Sequence, residues 1–222
     1  MEATQRATVH GPTFIRLLAR LGEADVPPPR QSLSDRLSHW LDWKHAVALA
    51  TALDAAPDTA APPVTADAAE CARVRAALAQ AIAGDAAFAV PGPGDAADFA
   101  FFRQRCLTMQ QVMEADIAHL RGRLRGALAA TTGDAAQLAP IDAVMERTLG
   151  RHERTLLASV PALLGAHFER LRRDAQTDTS DAGDAPVAWL DTFRNDMQAV
   201  LLAELDVRLQ PAEALLAALR PR

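Results

Sequence analysis

FAFFRQRCLTMQQVMEADIAHLRGRLRGAL, residues 99–128, decides the fold. Its inward-facing candidates fall at Phe99, Phe102, Cys106, Met109, Met113, Ile117, Leu120, Leu124 and Leu128. Steps of three and four residues bring these side chains into one line along an α-helix. The line is narrow and close to a heptad seam, the pattern of a long helix packed lengthwise against other helices. Two later stretches carry the same rhythm. One runs through Leu138, Ile141, Met145, Leu149, Leu156, Val160, Leu163, Leu164, Phe168 and Leu171. The other runs through Trp189, Phe193, Met197, Val200, Leu201 and Leu205. No alternating strand pattern occurs. The expected fold is therefore all-α: an elongated antiparallel helical bundle of three long helices, with shorter helices towards the N-terminus.

The long helices are expected over about 96–130, 136–174 and from Pro186 onward. Pro161 predicts a kink or a fresh start near Ser159, and Pro211 a further break. Upstream, Phe14, Leu17, Leu18 and Leu21 make the apolar face of a short helix over about 12–24. Pro27, Pro28 and Pro29 then form a stiff connector. A helix over about 32–55 opens at Ser32 or Ser34, and Ser32 with Asp35 resembles a capping box. Leu33, Leu37, Trp40, Leu41, Val47 and Ala48 form its face, with Trp43 at the border and Lys44 within the stripe. An alanine-rich helix over about 66–83 presents Val74, Leu78 and Ile82, and Gly84 suits its C-terminal cap. Pro91–Asp95 is expected to turn, and the polar tract Gln176–Asp184 to form a loop. The resulting organisation is an N-terminal helical pair over 1–56, a linker over 57–65 and a long-helix bundle over 66–222.

A chain of 222 residues is long enough to bury a sizeable core. Half of it is hydrophobic, but much of that half is alanine. Alanine favours helix and buries little area, so Leu, Phe, Met and Trp carry the packing. The formal net charge of −5 runs against general nucleic-acid coating. Cys71 and Cys106 fall within predicted helices without metal-ligand spacing, the usage of buried free thiols in a reducing compartment. The N-terminus lacks a secretory pattern, and no stretch has the ~20 apolar residues of a membrane-spanning helix. A cytoplasmic protein is expected, with any membrane connection made through a partner.

Two Asp-x-x-His units are the most chemical feature: Asp42 with His45, and Asp116 with His119. A carboxylate and an imidazole three residues apart share a helix face, and di-metal bundles use a related Glu-x-x-His pair. Both acids here are the shorter Asp, and both units lie off the apolar stripes, so a solvated helix face is the plainer reading. His152 and His167 lie near inward positions and read as hydrogen-bonded bundle histidines. Arginines cluster at Arg121, Arg123 and Arg125 and again at Arg170, Arg172 and Arg173. They either complement helix C-termini or face an anionic partner such as an acidic protein or phospholipid headgroups. Phosphate loops, nucleophile elbows and zinc spacings do not occur, and no cofactor is implied.

Arg30-Gln31-Ser32, Arg36-Leu37, Trp40-Leu41-Asp42-Trp43, Ala46, Leu49 and Ala52-Leu53 resemble the N-terminal signature of a proteobacterial family catalogued as a domain of unknown function. Val160-Pro161-Ala162-Leu163-Leu164, Phe168-Glu169, Ala203-Glu204-Leu205-Asp206 and Arg208-Leu209-Gln210-Pro211 look like its C-terminal half. The family carries no activity to transfer. Its genes neighbour those of inner-membrane, motor-stator-like and other envelope proteins, so the resemblance implies a component of an envelope-associated assembly. The expectation is a non-catalytic helical interaction or scaffold protein with protein partners, a homo-oligomer among the options. Candidate contacts are Trp40, Trp43 and the two arginine clusters, with core burial as the other reading of the tryptophans. The alternatives are a metal-dependent enzyme using Asp42, His45, Asp116 and His119, or a binder of anionic lipid or nucleic acid through the arginines.

Overall fold

The computed structural model describes residues 12–22, 32–54, 66–88, 98–178 and 185–220. Its helices are α1 (Thr13–Gly22), α2 (Leu33–Trp40), α3 (Trp43–Asp54), α4 (Ala68–Ala83), α5 (Phe99–Ala129), α6 (Asp134–Leu157), α7 (Val160–Asp178) and α8 (Ala185–Ala218). A short 3-10 turn lies at Ala86–Phe88. No strand occurs among the described residues, and the fold is an all-α helical bundle. The proline connector at 27–29, the linker at 57–65, the turn at 91–95 and Arg30-Gln31 of the N-terminal signature lie outside the described residues.

The described chain divides into two compact units. Unit 1 comprises residues 12–22, 77–88, 98–113, 158–178 and 185–207. Its core is aromatic. Phe168 meets Phe193 edge-on at 5.0 Å between ring centroids and Trp189 at 5.1 Å, and Phe102 meets Phe193 at 5.1 Å. The registers give the directions. Phe99 and Phe102 of α5 both reach Phe193 of α8, and eight residues beyond Phe102 Gln110 reaches Glu204 farther along α8, so α5 and α8 run parallel. On α7 and α8, Phe168 pairs with Trp189 and Phe193 while His167, one residue earlier, pairs with Asp196. Those two helices run antiparallel, as short connections between neighbours require. Cys106, Met109 and Met113 continue the α5 stripe, and α1 packs on α7 with Phe14 and Leu21 buried.

Unit 2 comprises residues 32–54, 66–76, 114–157 and 208–220. The second half of α5 turns into α6 through residues 130–133. Gly133 has φ +75°, a left-handed conformation that costs other residues free energy. Arg125 pairs with Asp142 while the earlier Glu114 pairs with the later Arg154, so α5 and α6 are antiparallel here. Ile117, Leu120, Leu124 and Leu128 are buried. Of the nine stripe residues in 99–128, only Phe99 is half-exposed.

Several expectations need correction. The single helix expected over 32–55 is two helices. Leu41 leaves the helical conformation at φ −87°, ψ 96°, and Asp42 begins a new helix. The restart changes the phase, so Val47 and Lys44 face water. Leu138 and Leu156 are exposed rather than inward. The buried arc of α6 runs through Ala136, Ala139, Val144 and Thr148, and its last turn buries Leu157 instead. α8 passes through Pro211 without a break. Leu209, Ala212 and Leu215 continue the buried stripe on both sides of the proline, and that packing outweighs the lost backbone bond. α7 continues through residues 176–178, which were expected in a loop; 179–184 lie outside the described residues. The fresh start near Ser159 is present, with Ser159 O accepting from both Ala162 N and Leu163 N at 3.1 Å.

Candidate functional site

The corner between α2 and α3 holds the Trp-Leu-Asp-Trp element. Ser32 opens α2 with a capping box: its hydroxyl accepts from Asp35 N at 3.1 Å, and Asp35 Oδ2 accepts from Ser32 N at 3.3 Å. Trp40 ends α2 and stacks on His152 of α6, with centroids 5.0 Å apart and planes 16° apart. Asp42 caps α3, its Oδ1 accepting from His45 N at 3.0 Å, and His45 Nδ1 lies 2.9 Å from the same oxygen. The backbone N–H of His45 is the main reason that the Asp42 carboxyl titrates below its usual range. In this Asp-x-x-His unit the spacing therefore serves a helix N-terminus.

Beyond the cap, α3 divides into two faces. Ala52 is buried, with Ala48 and Leu49 half-buried, and the helix packs on α6. Trp43, Val47 and Leu53 are 81%, 46% and 51% exposed, and Ala46 and Ala50 between them are exposed as well. At 100° per residue these five span an arc of about 120°. Asp54, exposed in the last turn of α3, is the one charged side chain within that arc, and the rest of the face is apolar. Sequence reasoning singled out Trp43 but missed this face, because it ran one helix through Asp42. The signal was the cap itself: an Asp immediately before a helix-forming run.

Asp116 and His119 are exposed on α5. Among the described residues, no three His, Cys, Asp or Glu side chains come together as a group able to hold a metal ion. Asp42 and His45 meet each other as a cap.

Most of the arginine candidates are engaged within the protein. Arg121 grips Asp142 with two nitrogens, Nε at 2.8 Å and Nη2 at 2.6 Å. Arg125 Nη1 reaches Asp142 at 3.0 Å and Glu146 at 2.5 Å. Burial works against the Arg125 charge, but Asp142 and Glu146 outweigh it and raise its pKa. Arg123 Nε lies 2.7 Å from Glu70 of α4. These three side chains stitch α5 to α6 and α4. Arg170 bonds His167 and the Leu21 carbonyl. Arg172 and Arg173 are exposed, and Arg173 Nε donates to Glu169 O at 3.2 Å. Sequence alone could not find the acidic partners, because each lies on another helix.

Unit 1 also holds polar groups inside its core. Glu204 is fully buried and accepts from Gln110 Nε2 through both oxygens, at 3.2 and 3.0 Å. The neighbouring Cys106 thiol is pushed up to about 12, first by burial and then by the Glu204 charge. Asp85 takes the Arg105 guanidinium and the Ala87 N–H, which fasten the turn after α4. Arg194 donates to Ala87 O at 3.2 Å and lies over the Phe102 ring. The Gln110–Glu204, Arg105–Asp85 and Arg194–Ala87 contacts each tie one helix or turn to another.

Partly buried ion pairs between helices and an exposed, largely apolar face on α3 mark the described residues as those of an all-helical bundle protein. The chain belongs to the family described as "Protein of unknown function (DUF3348)", whose model matches residues 1–221. No curated protein and no solved structure matches it. Among the described residues, no helix is long and apolar enough to cross a membrane.

Proposed function

We propose that this chain is a non-catalytic helical interaction protein and that α3 is the helix it presents to a protein partner. The observation that supports this reading is the apolar face of Trp43, Ala46, Val47, Ala50 and Leu53 turned towards water. Trp43, Val47, Ala50 and Leu53 sit at i, i+4, i+7 and i+10, the anchor spacing of a helix laid into a groove. Exposed tryptophans are costly to solvate and are favoured as anchors at interface centres. The first three turns of the face are apolar and suit an apolar groove, with Asp54 at its C-terminal edge. The family resemblance directs the search for the partner to an envelope-associated bacterial assembly reached from the cytoplasm.

The test is a photo-crosslinking residue at Val47 of the full chain in the native bacterium, with and without Trp43→Ala. A specific crosslinked protein that disappears with Trp43→Ala supports the reading. Failure to crosslink, or crosslinking indifferent to Trp43, refutes it. Crosslinks solely to a second copy of the chain would replace the heterologous partner with a homo-oligomer. With the purified partner, Trp43→Ala is expected to weaken binding by at least about 2 kcal/mol, or about 30-fold. The far-UV circular dichroism and urea midpoint should stay near wild type, because most of the indole already faces water.

A further inference from the structure

His167 of α7 is buried where groups from three helices meet. Arg170 Nη2, on the same helix, lies 2.8 Å from Nδ1. A guanidinium can only donate, so Nδ1 is the acceptor and the ring proton sits on Nε2. That nitrogen donates to Asp196 Oδ2 of α8 at 2.9 Å. α1 is fastened to the same cluster twice. Arg20 donates to Asp196 Oδ1 at 2.6 Å, and Arg170 Nη2 donates to Leu21 O in the last turn of α1 at 3.0 Å. Asp196, Arg170 and Arg20 are the charged groups that act on the imidazole, and Phe193 lies beside it with ring centroids 6.1 Å apart.

We propose that His167 is a proton-operated latch on the C-terminal turn of α1. When neutral, it holds the Arg170 guanidinium in the position from which Arg170 bonds the Leu21 carbonyl. A proton taken from solvent onto Nδ1 removes that acceptor and places a cation against Arg170. Arg170 must then withdraw, and the Leu21 carbonyl loses its donor. The cluster of one acid and two arginines carries a net charge of +1 with the imidazole neutral and +2 after protonation. Burial, the largest influence, lowers the His167 pKa; Asp196 opposes it, and Arg170 and Arg20 add to it. The sign follows from linkage. A folded-state pKa below the ordinary 6.5 means that the latched state is fully favoured above that value. Its advantage falls as pH drops through 6.5 towards the lowered value. α1 then gains freedom in acid, and its buried Phe14 and Leu21 gain access to water. This inference stands apart from the role of α3.

The test is amide hydrogen exchange of the full chain at about pH 7.5 and about pH 5.5, corrected for intrinsic exchange rates. One unit below the ordinary histidine value, an opened state that binds the proton gains at most about tenfold over a closed state that binds it less readily. Protection in peptides covering residues 13–22 should therefore fall at the lower pH, by up to about tenfold. His167→Gln, whose amide can accept from Arg170 and donate to Asp196 without titrating, should abolish that change. A wild type indifferent to pH, or a variant that responds as wild type does, overturns the proposal. If the variant does not fold, nitrogen-15 imidazole spectra of the wild type decide the matter. A proton on Nε2 near neutrality, with a titration midpoint matching the loss of α1 protection, supports the latch. A proton on Nδ1, or a midpoint that departs from the loss of protection, overturns it.

Discussion

Replacing Asp142 with alanine removes the acceptor that Arg121 and Arg125 share. Arg121 loses both of its short bonds, at 2.8 and 2.6 Å, and Arg125 loses one at 3.0 Å. The Arg121 and Asp142 side chains are each 12% exposed, so water reaches the vacated guanidinium only in part. Breaking a fully buried pair costs about 3–5 kcal/mol, while an exposed bridge is worth about 0–1 kcal/mol. Glu146 moderates the loss. It already lies 2.5 Å from Arg125 and 3.8 Å from Arg121, and it can take over part of the interaction. The expected cost is therefore about 2–3 kcal/mol. Urea denaturation followed by far-UV circular dichroism measures it. With a slope of about 2 kcal/mol/M, the midpoint should fall by about 1–1.5 M. Asp142→Asn keeps the volume and one acceptor and should cost about half as much. A double-mutant cycle with Arg121→Ala should return a coupling of about 1–2 kcal/mol. A midpoint within about 0.2 M of wild type would refute the reasoning, because it would make the pair a solvated surface bridge.

Gly165→Ala tests the aromatic core of unit 1. A Cβ there would stand 2.8 Å from Phe99 Cε1 and 3.0 Å from Cζ, and Phe99 itself leans on Phe168 and Phe193. Overpacking of about 2 kcal/mol exceeds the ~1 kcal/mol that alanine gains over glycine in a helix, so a net loss of about 1 kcal/mol is expected by thermal or urea unfolding. The loss should vanish when Phe99→Leu is combined with it. Cys106, with its thiol pushed up to about 12 and its side chain fully buried, should resist a thiol reagent near pH 8 and react only as urea unfolds the chain. Rapid modification in the native state would contradict its placement.

What the sequence determined by itself was local. The spacing from Phe99 to Leu128 required a helix with one buried line, and eight of its nine members are buried. Ser32 with Asp35 announced the start of α2, and Pro161 announced the start of α7, because caps and prolines act within one turn of chain. Asp42 was equally local and was overlooked, since the apolar stripe before and after it could be read as continuous. The tertiary structure decided what depended on distant partners. Whether Pro211 broke α8 rested on the burial of Ala212 and Leu215. Whether Arg121, Arg123 and Arg125 formed a docking surface for an anionic partner rested on Asp142, Glu146 and Glu70, which other helices supply. Only the packing of α3 on α6 revealed which of its apolar faces was left over. Helical periodicity identifies the faces a segment has; the neighbours decide which of them meets water.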